Sequence, residues 1–147
     1  LKQQLYQQLM KRMDQAVQDG RDVEAGWYAY AVLEDRLRSM LRQSGGEGQN
    51  KGIGKPIRMM GPKLTELSKR AKKDELLKSS FEYTRLNKWK NDRNGLVHAM
   101  ADGQHDIEEI DRRVADLATE GVLLARLYAS EARRLKTHRA KVTQPAL

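Results

Sequence analysis

Residues 106–135 read DIEEIDRRVADLATEGVLLARLYASEARRL, and this stretch decides the fold. Apolar or small side chains recur at Ile107, Ile110, Val114, Leu117, Gly121, Leu124, Tyr128, Ala132 and Leu135, in steps of three and four. That is the period of one helix face, and Asp106 with Glu109 three residues on resembles a capping box. At 1.5 Å per residue the stripe spans roughly 45 Å, so part of the helix is expected to project or to meet a second subunit. Gly121 is its interior weak point, where the helix could bend.

The same period appears upstream. Leu5, Leu9, Met13 and Val17 form one face of a first helix, which Gly20 is expected to end. Asp22 is then placed to cap a second helix that runs to Ser44-Gly45-Gly46. Within it, the stripe Val23, Trp27, Tyr30, Glu34, Leu37, Leu41 puts a carboxylate where an apolar residue is expected, which marks Glu34. Trp27, Trp89 and Phe81 read as core.

Residues 45–61 carry six glycines among Lys51, Lys55, Arg58 and Pro56, without periodicity, and are expected to be a flexible basic loop between the second and third helices. Such a loop either is idle disorder or lets backbone approach phosphate closely, in which case Lys51, Lys55, Arg58 and the neighbouring Lys63 are candidate RNA contacts. It lacks the spacing of a nucleotide-binding loop and no strand precedes it. Pro62 is expected to open a third helix, and Asp74 to cap a fourth that carries Leu76, Leu77, Ser80, Tyr83, Leu86 and Trp89. The run Asn91-Asp92-Arg93-Asn94-Gly95 consists of capping and turning residue types, so a change of chain direction is expected there. Leu96, Val97 and Met100 then form a short helix closed by Gly103.

Taken together, the 147 residues predict a single all-α domain, a bundle of four to five helices, with residues 136–147 as a frayed end. Charged residues make up 33% and aromatics 5%, so apolar surface must be used in stripes, as bundles do. A net charge of +8 favours polyanions and makes nucleic acid the expected partner. The absence of cysteine excludes disulfides and thiolate metal sites and fits a reducing compartment such as the cytoplasm. Neither a membrane span nor a leader peptide is expected from the hydropathy pattern.

Arg93 is followed after four residues by His98. Acid–base cleavage of RNA needs a group that exchanges protons near neutral pH and a fixed cation to stabilise charge developing on phosphorus, and His and Arg supply these. On a continuous helix residues five apart diverge by about 140°, so both reach one phosphate only if Arg93 lies at or before the first helical turn. A second Arg-to-His spacing, Arg133 to His138, sits inside the basic last helix and is set aside. His105 and His138 read as surface residues with no metal-binding neighbours at helical spacing, and no metal or other cofactor is expected.

With Arg93, Asn94 and His98 in this order, Trp89-Lys90-Asn91-Asp92 leading in, and residues 27–38 (WYAYAVLEDRLR) as the second helix, the chain resembles the HEPN superfamily over most of its length. The resemblance implies a bundle that dimerises and joins two Arg/His motifs in one metal-independent endoribonuclease centre, in a toxin or an effector of antiviral defence. By that resemblance Arg93 stabilises the phosphoryl transition state. His98 acts as acid or base while the ribose 2′-OH attacks, which leaves a 2′,3′-cyclic phosphate. Asn94 and Asp102 stand four residues either side of His98 and could orient its ring, and Glu34 is expected to pair with Arg93. An antitoxin or defence-system protein is an implied partner. One departure is that Met100 stands two residues after His98, where some HEPN toxins carry a Tyr that accepts a nucleotide. The alternatives are a non-catalytic HEPN-like module that binds RNA or protein, and a DNA-binding regulator, for which no helix-turn-helix signal exists.

Overall fold

The computed structural model describes residues 1–48 and 55–143. Among these the chain is all-helical, with α1 Lys2–Gln18, α2 Asp22–Gln43, α3 Met60–Ala71, α4 Glu75–Ser80, α5 Tyr83–Ala101 and α6 Ile107–Thr143. Six helices stand where four to five were expected. None is long and apolar enough to cross a membrane.

α1 ends at Gly20, whose φ of +69° lets the Gly20 N–H reach the Val17 carbonyl at 3.2 Å and the Arg21 N–H reach the Ala16 carbonyl at 2.8 Å. These two bonds satisfy carbonyls that a helix end leaves bare, and they turn the chain back into α2. Asp22 does not cap α2 as expected. It is the first helical residue, with no side-chain cap bond at the helix start, and it stabilises the end through its charge. The buried face of α1 is Met13 and Ala16, with Tyr6, Leu9 and Met10 against the core, whereas Leu5 and Val17 of the expected stripe are exposed.

α2 and α6 form the centre and make the most extensive contact in the molecule. Ala25, Ala29, Val32, Leu33, Leu37, Met40 and Leu41 of α2 belong to one buried cluster with Ala118, Val122, Leu124, Ala125, Tyr128, Ala132 and Leu135 of α6. Small residues bring the two axes close: a Cβ added at Gly26 would sit 3.9 Å from the Cα of Ala118. Trp27 departs from expectation. Among the described residues nothing buries it, and the residue is 67% exposed.

α6 runs unbroken from Ile107 to Thr143, so Gly121 marks no break in it. It is instead a contact. A Cβ there would come within 2.6 Å of the Trp89 ring, whose indole N–H donates to the Leu117 carbonyl at 2.9 Å. Asp106 caps α6 by accepting from the Glu109 N–H at 2.8 Å. Of the end expected to fray, residues up to Thr143 are helical and Arg139 pairs with Asp74 at 2.8 Å, while 144–147 lie outside the described residues.

The expected fourth helix divides in two. Asp74 caps α4 by accepting from the Leu77 N–H at 3.1 Å, but the backbone turns extended at Phe81 and Glu82 before α5 begins. Tyr128 of α6 holds this break: its hydroxyl accepts from the Glu82 N–H at 2.9 Å and donates to the Glu82 carbonyl at 3.3 Å. α5 then passes straight through residues 91–95, where a change of direction was expected. Packing overrides the turn-forming residue types, because Leu86 and Trp89 on one side of that run and Leu96 and Ala99 on the other are all buried. Leu96 and Ala99 meet Ile110 of α6, while Arg85 reaches Glu120 at 2.6 Å, so α5 and α6 are antiparallel.

Candidate functional site

α5 sets the frame. Because it is one continuous helix, Arg93 and His98 diverge by about 140° around its axis, and Arg93 lies in mid-helix, not at a first turn. The condition for both to reach one phosphate from a single chain, Arg93 at or before the first helical turn, is therefore not met. The arc from His98 to Arg93 contains Asn94, Ala101 and Val97, with Met100 just past Arg93, and all four are exposed. Leu96 and Ala99 occupy the opposite arc and are buried. The solvent side of α5 is therefore an open strip with the imidazole at one edge and the guanidinium at the other. Val97 and Met100 on this strip are 56% and 55% exposed.

Arg93 is half-buried because it lies over an aromatic ring, with its guanidinium carbon 4.1 Å from the centroid of Tyr30. Tyr30 in turn packs on Trp89, with the ring centroids 6.2 Å apart. Burial and then the neighbouring Glu34 charge hold the Tyr30 hydroxyl above its ordinary range, while Arg93 pulls it down. Among the described residues no carboxylate pairs with Arg93, and its stacking on a packed ring is what holds the cation in place.

Glu34 does not pair with Arg93. Its carboxylate takes the Lys63 ammonium, and Lys63, 1% exposed, also donates to the Arg58 carbonyl at 3.2 Å. This corrects two expectations, since Lys63 is a buried partner of Glu34 and presents no charge to RNA. The Glu34 charge acts on the neighbouring Tyr30 hydroxyl, so Arg93 stacked on Tyr30 and Glu34 paired with Lys63 lie side by side across α5, α2 and α3. Tyr30 and its role as a shelf were missed in the sequence. The available signal was its place four residues before Glu34 on one stripe.

His98 is exposed, and among the described residues neither ring nitrogen has a hydrogen-bond partner. Asn94 is exposed on the same side, one turn away. Asp102 does not orient His98. It accepts from the Gln104 N–H at 2.9 Å and faces His105 at 3.6 Å, because α5 ends there and the chain turns at Gly103.

The loop after α2 is held at both described ends. Arg70 donates to the carbonyls of Leu41, Gly46 and Gly48 at 3.0, 2.7 and 2.7 Å, and the Ile57 N–H reaches the Glu47 carbonyl at 3.0 Å. Of the segment 45–61 expected to be a flexible loop, Arg70 holds the carbonyls of Gly46 and Gly48 and Ile57 and the start of α3 are packed, while 49–54 lie outside the described residues. Lys55 and Arg58 are exposed, and Lys51 lies outside the described residues. Comparison of the chain with protein families, curated proteins and solved structures found no match.

Proposed function

We propose that the chain is a HEPN-like, metal-independent endoribonuclease that works as a homodimer, with Arg93 of one copy and His98 of the partner subunit acting on one phosphodiester. The observation that carries this reading is the open strip on α5. Two such strips packed antiparallel about a twofold axis near Asn94 and Val97 set each guanidinium against the other copy's imidazole. Val97 and Met100 supply apolar surface for that contact, and Trp27, one turn along α2 from the Tyr30 shelf, extends it.

In this arrangement Arg93, held by Tyr30, stabilises charge on the phosphoryl oxygens, and Glu34 with Lys63 keeps the shelf in place. His98 takes the proton of the attacking 2′-OH or gives one to the leaving 5′-oxygen, with Asn94 beside it. The products are a 2′,3′-cyclic phosphate and a 5′-hydroxyl end. The net charge of +8 supports an RNA substrate. A role as a toxin or antiviral-defence effector in the cytoplasm, with an antitoxin or defence protein as regulator, goes with the resemblance.

Single-stranded RNA incubated with the protein in excess chelator tests the reading. Cleavage to cyclic-phosphate ends by the wild type, and its loss in a folded His98→Ala variant, are expected. Equal cleavage by that variant removes His98 from the reaction. Absence of cleavage by a dimeric wild type favours the non-catalytic binding module.

A further inference from the structure

A second charged feature lies on the far side of α2. Ser39 is nine residues from Tyr30, half a revolution around the helix, and it faces a cleft of 730 Å³ between α1, α2 and α6. Five cations line the cleft, Lys2, Arg36, Arg42, Arg133 and Lys136, against one carboxylate, Asp35. Asp35 is already engaged by Arg36, whose guanidinium carbon also lies 4.1 Å from the centroid of the Tyr6 ring. Arg42 is 3.8 Å from Glu47, but Lys2, Arg133 and Lys136 have no ion-pair partner among the described residues. Uncompensated cations gathered in a concave wall focus a positive potential.

We propose that this cleft is a second anion site, which takes the phosphodiester backbone of single-stranded RNA flanking the segment held at α5. It rests on the proposed ribonuclease reading for the identity of its ligand. The remaining lining is polar, with Gln3, Gln7 and Gln43 beside the cations, which suits sugar and phosphate oxygens better than an apolar ligand. Arg36, fixed between Asp35 and Tyr6, is the rigid member, and Arg133 and Lys136 are the free ones.

The test is fluorescence anisotropy of a labelled single-stranded RNA with the full chain, in a His98→Ala background that keeps the probe intact. Arg133→Gln with Lys136→Gln is compared with Lys72→Gln with Lys78→Gln, which removes equal charge outside the cleft, each checked for an unchanged melting temperature. The cleft pair is expected to weaken binding about tenfold at low salt and to make the slope of log K against log salt shallower by about 1.4, or about 0.7 per lost phosphate contact. The control pair is expected to change affinity by less than about threefold. Equal loss in both pairs, or none in the cleft pair, overturns the site. Cleavage is read separately on His98-containing protein: a wild type that binds through the cleft but does not cut overturns the ribonuclease reading alone.

Discussion

The guanidinium of Arg93 stacks on the ring of Tyr30, 4.1 Å from its centroid, and so a residue of α2 fixes the cation of α5. If the ring is the shelf, Tyr30→Phe keeps RNA cleavage within about threefold of wild type, whereas Tyr30→Ala lowers kcat/KM by about tenfold or more, the equivalent of ~1.4 kcal/mol. Equal losses in the two variants would assign the effect to the hydroxyl and not to the ring.

Lys63 is buried against Glu34, and removing one partner leaves the other without compensation. Lys63→Met is expected to destabilise the fold by about 3–5 kcal/mol in urea unfolding, and Lys63→Met with Glu34→Leu to recover most of it. A single variant as stable as wild type would show that the pair is dispensable to packing.

Gly121 and Trp89 make an opposite case to helix propensity. Alanine in a helix interior is favoured over glycine by about 1 kcal/mol, but here its methyl would meet the Trp89 ring, which its bond to Leu117 holds in place. Overpacking costs about 1–3 kcal/mol, so Gly121→Ala is expected to lower the urea midpoint and alter Trp fluorescence. A raised midpoint would mean that the ring gives way freely.

Much of this fold was legible. Gly20, the capping Asp106 and the three-four stripe of α6 each carry a local signal that packing agrees with. The division between α4 and α5 was not, because Leu77, Leu86 and Trp89 are buried on both sides of it and the stripe runs across Phe81 and Glu82. The turn expected at residues 91–95 failed for the complementary reason, since buried neighbours carry a helix through residues that prefer to cap. At the site, Arg93 and His98 were legible as residue types. The partner of Glu34 was not, because Lys63 lies 29 residues away and no local pattern marks a lysine as buried.

Tyr128 links α6 to the break before α5, and burial pushes its hydroxyl up to about 12, against the opposing Glu82 N–H that donates to it. A group raised in the fold contributes stability below its unfolded value near 10 and loses it as pH rises through the folded value. Stability is therefore expected to fall between about pH 10 and 12, by on the order of 2–3 kcal/mol from this group. Tyr128→Phe is expected to reduce that fall, measured by urea unfolding at each pH. An identical pH profile in the variant would assign the loss to other groups.

The central claim, that each reaction centre joins Arg93 of one copy to His98 of the other, is tested most directly by mixing two inactive variants, Arg93→Ala and His98→Ala, after unfolding and refolding them together. Each mixed dimer retains one intact cross-subunit pair, so RNA cleavage is expected to return to about a quarter of wild type, half the dimers being mixed and each carrying one of two centres. No recovered cleavage in a preparation whose mixed dimers are demonstrated by mass would contradict it.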